Sequence, residues 1–435
     1  MLKKGKKSLN SEEDIFFVRL FRGGIGAFTS KLVMVASSLI FNMVIVRLMS
    51  SSEVGNYFLI VSIITFCTML CLLGSHYSIV KMLPHMIKMN GVDARASIVG
   101  TVVIFVLGSM ATVGSYCLIG SYIDIFLNSK IVADLCFLSV LLMLCRSIQI
   151  YTAQSLRAYH ILSTASFLDG AFSTGLLSII CSLLLIFSVQ IDVQFLLLLT
   201  IVCIFCVNAY GINILVKKYK KLPARKGVAW KASLKIGFPL FIMSLTMCGM
   251  AEAHLWMLGK FTNSDNLAIY GIVKRLSKFV LIPLIIINEI LPSTVSELWA
   301  TGRIRELQKI LRFTSTLASL PAIVIFIVFL LLGADMLQLF YGEYYGAGYW
   351  PLIIILGAQV FNSCTGSPGV LLSMSGYQAV PMKSGLVSSI VGLFVSFVLV
   401  EKYDVLGVAI GFSTSLVVHN LIMLVYCRIK LDIKT

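Results

Sequence analysis

The stretch VQFLLLLTIVCIFCVNAYGINILVKKYKKLPARKGVAWKASLKIGFPL, residues 193–240, decides how this chain is read. Its apolar run from Val193 to Val216 is long enough, as a helix, to cross a hydrocarbon core, which takes about 20 residues. Eight cations follow between Lys217 and Lys235, and a second apolar run starts at Ile236. Outward from this point the pattern recurs. The spans expected before the basic stretch are Gly24–Val46, Val54–Gly74, Ile98–Gly120, Ile131–Thr152, Thr164–Phe187 and Val193–Val216. Those after it are Ile236–Leu258, Leu267–Leu291, Thr314–Leu337, Pro351–Ser373, Gly385–Val400 and Leu406–Cys427. The runs lack the alternation of a membrane barrel, so helix is expected throughout. Composition agrees: 58% of the 435 residues are apolar and 12% charged, with a mean hydropathy of +0.96. A soluble domain is about 45 to 50% apolar and about 25% charged, so a soluble globule, a disordered chain and a disulfide scaffold are excluded.

The formal charge of +16 would suggest a nucleic-acid partner in a soluble protein. Here it follows topology. Of 35 Lys and Arg, 26 fall on the side of the termini and the basic stretch, and four (Arg47, Lys130, Lys260, Lys402) on the other. The positive-inside rule then places both termini in the cytoplasm, with anionic lipids rather than nucleic acid facing the cations. The expected division is residues 1–23 (basic amino terminus), 24–216 (first six-helix unit), 217–235 (linker), 236–427 (second unit) and 428–435 (tail). The basic start runs into a polar stretch and a full-length apolar run, which predicts an uncleaved anchor. Ser11 to Phe21 has an acidic first turn and mixed Phe, Leu and Arg, as expected of a short helix on the membrane surface.

All eleven cysteines fall in expected spans, and Cys203 and Cys206 have no companion pair or histidine cluster. They read as packing or lipid-facing residues, and neither a metal nor another cofactor is expected. No phosphate-binding glycine loop, nucleophile elbow or paired-carboxylate arrangement occurs, and every outward connection is short. A membrane polymerase or acyltransferase would need such a reaction centre, so transport is favoured over catalysis.

The chain also repeats. Arg47, Ser51, Glu53, Gly55 and Tyr57 are matched by Lys260, Ser264, Asn266, Ala268 and Tyr270 at an offset of 213. Lys81-Met-Leu-Pro84 faces Glu289-Ile-Leu-Pro292, and Leu156-Arg-Ala-Tyr-His160 faces Met374-Ser-Gly-Tyr-Gln378. An even number of helices per unit keeps orientation, so the halves are parallel repeats. With its Glu53, Gly55 and Tyr57 entry to span two, its Pro84 and Pro292 exits and its Gly376-Tyr377 turn, the chain resembles the Wzx-type polysaccharide flippases. These belong to the superfamily that also holds MATE-type multidrug exporters and the lipid II flippase. The resemblance covers essentially the whole chain. It implies an all-α integral membrane protein of about twelve transmembrane helices, built as two parallel six-helix bundles around a central cavity. It further implies alternating access in a bacterial inner membrane, and export of an undecaprenyl-pyrophosphate-linked oligosaccharide unit of O-antigen, capsule or exopolysaccharide, alongside other polysaccharide assembly proteins.

Five cations lie inside spans: Lys31, Arg146, Lys274, Arg275 and Lys278. A charge at mid-bilayer costs about 2.5 to 3.5 kcal/mol even on the lenient insertion scale, so each needs water, a partner or the bundle interior. At 100° per residue, Lys274, Arg275 and Lys278 form one stripe of span eight, rejoined deeper by Asn288 and Glu289. Lys31, Ser38 and Asn42 form a second stripe on span one. We take Lys31, Asn42, Arg146, Lys274, Arg275 and Lys278 as candidate cavity residues able to neutralise substrate phosphates. The alternatives are that Lys31, Lys274 and Arg275 snorkel to the interfaces, and that Arg146 bridges to Asp169. Asp169, Glu252, His254 and Glu289 are candidates for proton or sodium coupling, which an antiporter would need, and interhelical hydrogen bonding is the alternative for Glu252 and His254. In span ten, Gly366, Pro368 and Gly369 amid small polar residues predict a hinge, against simple close packing. A cation-coupled multidrug exporter of the same fold is the runner-up. It would favour acids where this chain places cations.

Overall fold

In the computed structural model, residues 12–88, 94–127, 131–223 and 229–433 are described. Within these ranges side chains are described from Thr29 onward, except Lys88, Ser121, Glu289, Ile290 and Ser293. The helices are α1 (Glu12–Leu48), α2 (Ser51–Leu72), α3 (Ser75–Lys88), α4 (Ala94–Leu127), α5 (Ile131–Asp134), α6 (Cys136–Ala158), α7 (Leu162–Ser166), α8 (Phe172–Ile186) and α9 (Val193–Lys220). Next come α10 (Trp230–Phe261), α11 (Ser264–Ser277), α12 (Ile282–Ala300), α13 (Ile304–Tyr341), α14 (Tyr349–Thr365), α15 (Pro368–Met374) and α16 (Ala379–Lys430). Among the described residues, ten helical segments are long and apolar enough to cross a membrane. Two more crossings follow from breaks. The long α16 reverses at Asp404, where φ is 43° and ψ is −121°, so it supplies two spans. Broken between Lys278 and Leu281, α11 and α12 together make another. The result is a twelve-helix, all-α membrane fold.

The repeat is visible in helix starts. Helices α2 and α11 begin at Ser51 and Ser264, 213 residues apart, and α6 and α14 at Cys136 and Tyr349, again 213 apart. Ser50 caps α2 reciprocally with Glu53, which satisfies two otherwise orphan amide donors; Asn263 holds the same place before α11 without a side-chain cap bond. Helix α1 runs without interruption from Glu12 to Leu48, so the surface helix expected at Ser11–Phe21 joins the first span continuously. Residues 1–11 lie outside the described residues. The linker is shorter than the basic stretch. Helix α9 extends to Lys220 and α10 starts at Trp230.

Within the first half, α1 packs on α7 and α8, and α6 on α2, α3 and α9; within the second, α16 packs on α10 and α14, and α13 on α12 and α14. The halves join through α10, which lies along α2, α3 and α4, and through α2 against α11. That last contact sits at the end of the bundle away from the linker, here termed the far end. A Cβ added at Gly55 would run into the Ser264 carbonyl oxygen, and one added at Gly271 would run into the Phe58 ring. Gly271 is the repeat equivalent of Phe58 at the 213 offset, so one copy supplies the knob and the other the hole. Ser51 donates to Asp265, and Ser264 donates to Asn56 at 2.8 Å, tying the same two helix starts reciprocally. Gly55→Ala is therefore expected to cost about 1 to 3 kcal/mol through forced separation of α2 and α11. Gly114→Ala, whose added methyl meets nothing within 4 Å, serves as the control. Equal melting temperatures for the two variants in detergent would contradict this packing.

Candidate functional site

The site is built around α11. Its start is fixed against α2, and its last turn carries the cations one after another. Lys274 Nζ donates to Glu252 Oε2 of α10 at 2.7 Å, with side-chain exposures of 11% and 17%. A charge pair so enclosed loses hydration, so its mutual attraction has to offset that loss. Arg275 turns the other way. Its guanidinium lies 3.6 Å from the centroid of the Phe58 ring, and one of its nitrogens donates to the Gly271 carbonyl at 3.1 Å. That contact crosses from one half to the other and is a cation–π interaction. Lys278, one turn beyond Lys274, caps the end of α11 and is exposed, its side chain making no hydrogen bond or ion pair within the described residues. A stripe that reads as equivalent in sequence thus splits into a paired, a packed and an open cation.

Beyond Lys278 the stripe stops. The chain turns from Lys278 to Leu281, and Pro283 lies at the start of α12, so the helical phase used to align Asn288 and Glu289 with Lys274 does not carry across. Asn288 instead accepts from Ser367 of α15's amino-terminal edge. The side chain of Glu289 lies outside the described residues. Helix α10 faces this region loosely. Every residue from Ile242 to Ala253 is half-buried, whereas a helix packed in a solid core alternates buried and exposed faces.

The first half contributes differently. Lys31 is half-buried on α1, but Asn42 is buried, donating to Ser38, while its oxygen has no hydrogen-bond partner among the described residues. Arg146 donates to Gln149 at 2.8 Å, and Gln149 donates in turn to the Leu168 carbonyl at 2.8 Å and to Ser173 at 3.0 Å. The bridge from Arg146 to Asp169 does not form. Asp169 pairs with Arg157 at 2.8 Å instead. The cause is the π-helical turn Phe167–Ala171 between α7 and α8, in which Gly170 leaves helical geometry and Asp169 is set level with the last turn of α6. Arg146 lies three turns deeper, about 16 Å along the helix. The Asp169–Arg157 pair was not legible from spacing, because a π turn shifts the phase of everything after it.

Glu252 and His254 point apart, as their spacing predicts. His254 is fully buried; its Nδ1 is 2.9 Å from Ser396 Oγ, and its ring lies edge-on to Phe412. It joins α10 to both arms of α16. Asp169, Glu252 and His254 therefore occupy three separate places.

The break in span ten is real and braced. Gly366 has φ 73° and ψ −134°, a backbone conformation open essentially to glycine alone, and Pro368 opens α15. The carbonyl of Cys364 accepts from Ser315 at 2.9 Å, and that of Ser363, which also accepts the Gly366 amide, accepts from Ser319 at 3.3 Å, both on α13. Gly369 makes only ordinary contact with Met423. Gly366→Ala should cost about 1 to 3 kcal/mol. Its melting temperature in detergent should fall well below that of Gly369→Ala, and an equal value would contradict the strain assigned to this position.

Among the described residues no His, Cys, Asp and Glu side chains group into a metal site. Cys203 is buried and Cys206 exposed. The sequence matches no family model and no curated protein. Solved structures do match in fold. An inward-facing multidrug resistance MATE family transporter of the MOP superfamily superposes with a TM-score of 0.71 at 11% identity, covering 94% of this chain and 98% of that one. The lipid II flippase MurJ, in an inward closed conformation, gives 0.72 at 14% identity, covering 94% and 87%. The MATE multidrug transporter DinF-BH gives 0.68 at 16% identity, covering 99% and 98%. These neighbours are transporters and a flippase, so this chain has the fold of a membrane transporter of the MATE and MurJ kind.

Proposed function

We propose that the protein is a flippase for an oligosaccharide linked to a polyprenyl pyrophosphate, moving it from the cytoplasmic to the outer leaflet of a bacterial inner membrane by alternating access. The observation that carries this reading is the α11 cluster: three cations at the end of one buried helix against, among the described residues, a single paired acid, Glu252, with Lys278 left exposed. A cluster whose one described nearby carboxylate is engaged by Lys274 is suited to an anionic headgroup. Lys278 is the first contact for phosphate, and Lys31 and Arg146 offer positive charge from the first half. Arg275, held on Phe58 across the junction of the halves, belongs to the far-end closure. Glu252, released when Lys274 turns to phosphate, is the group suited to take up a coupling ion. The basic linker side is cytoplasmic in this reading. Deletion of the gene should abolish the cell's surface polysaccharide and leave lipid-linked repeat units in the cytoplasmic leaflet. Unchanged surface polymer would rule the reading out.

A further inference from the structure

Away from the α11 cluster, two hollows adjoin on the far half of the seam between α2, α4 and α10. The first, about 330 Å³, is lined by Ile63, Phe66 and Cys67 of α2, by Tyr116 and Ile119 of α4, and by Trp256 of α10. Its walls are apolar. The one indole N–H there is already occupied, since Trp256 Nε1 donates to Ser62 at 2.9 Å. Ile119 and Phe126 are half or more exposed, so the groove opens toward lipid. On α4 its lining runs from Thr112 to Leu127, which as helix spans about 22 Å, more than the roughly 15 Å hydrocarbon depth of one leaflet.

The second hollow, about 480 Å³, lies at the far end and shares Leu127 with the first. Its lining is the opposite in character: Ser52, Asn56, Thr262, Asn263, Asp265 and Lys260. Lys260 bridges the two, with Nζ 4.1 Å from the centroid of Phe126, a wall of the apolar groove. An apolar groove of leaflet length ends in a pocket that offers one ammonium, several hydroxyl and amide groups and one carboxylate, Asp265, that already accepts from Ser51. It is complementary to an amphiphile with a long hydrocarbon chain, an anionic junction and a hydroxyl-rich head.

We infer that this paired hollow is a binding site for the lipid-linked saccharide in the outer leaflet, distinct from the α11 cluster. The hydrocarbon chain lies along Phe66, Ile119 and Trp256, the phosphate meets Lys260, and the sugar hydroxyls meet Asn56, Asn263 and Asp265. The assignment of substrate class rests on the proposed function. Because α2 and α4 supply one wall and α10 and α11 the other, separation of the halves at the far end would open the site directly onto the interior.

The test uses Trp256 as the reporter. A protein retaining only that tryptophan (Trp230→Phe, Trp299→Phe, Trp350→Phe) is reconstituted in vesicles of brominated phosphatidylcholine, whose chains quench it. Undecaprenyl phosphate at a few mole per cent is expected to relieve the quenching, at least about tenfold less effectively in Lys260→Ala, and not at all in Ile119→Trp with the emission of the added indole subtracted through a Trp256→Phe control. Leu118→Trp, on the adjacent lipid face, should leave export intact. Absence of relief, equal relief by phosphatidylglycerol, or an unaltered titration in Lys260→Ala would overturn the site. Relief by undecaprenyl phosphate in a protein whose export is indifferent to Lys278→Ala would uphold the site and refute the α11 reading; the reverse pattern would do the opposite.

Discussion

Lys278→Ala is expected to abolish polysaccharide export while the protein still folds and inserts. Lys278 is exposed at the end of α11 and its side chain holds no hydrogen bond or ion pair among the described residues, so truncation removes no native contact of consequence. Its effect on stability should stay within about 0.5 kcal/mol. Its effect on transport should be far larger. Removing one partner of a desolvated phosphate–ammonium contact costs about 2 to 5 kcal/mol, a loss of roughly thirtyfold or more in affinity. Lys278→Arg should retain most of the activity, since a guanidinium serves a phosphate at least as well. Export measured by surface polymer, beside the amount of protein in the membrane fraction, separates the two effects. Undiminished export from Lys278→Ala would remove this residue from the substrate path.

The second large effect is expected at the Glu252–Lys274 pair. Breaking an enclosed ion pair from one side leaves a charge with no partner, at about 3 to 5 kcal/mol. Glu252→Gln and Lys274→Met should each lower the melting temperature in detergent by many degrees. Combined, they should recover most of that loss, because neither charge is then stranded. Export should not recover in the double variant, since Lys274 is part of the phosphate site. A double variant as unstable as the sum of the single ones would contradict the 2.7 Å contact. One with full export would show that the pair serves only structure.

Long apolar runs and the distribution of Lys and Arg were sufficient to count twelve helices, because the bilayer imposes length and internal hydrogen bonding on every crossing. The duplication was legible at the 213 offset because Arg47, Ser51 and Tyr57 recur as Lys260, Ser264 and Tyr270 around two helix starts. Partner choice was not. Lys274, Arg275 and Lys278 share one stripe, yet which of them meets Glu252, which lies on Phe58 and which stays open depends on neighbours far along the chain. Two backbone irregularities defeated phase arithmetic as well. The turn at 278–281 cut Asn288 away from the α11 stripe, and the π turn at Phe167–Ala171 gave Asp169 to Arg157 instead of Arg146. The break at Gly366 was legible because glycine followed by Ser-Pro leaves few alternatives in a helix interior. The knob of Phe58 in the gap above Gly271 carried a signal that could have been used: the two residues are equivalent in the repeat.

The central claim is that interior cations receive an anionic, lipid-linked headgroup. The most direct measurement is leaflet exchange in proteoliposomes containing either a fluorescent undecaprenyl-pyrophosphate oligosaccharide or a lipophilic organic cation. Protein-dependent exchange of the first, lost in Lys278→Ala, with no transport of the second, is the predicted result; transport of the cation without exchange of the lipid-linked sugar would contradict it.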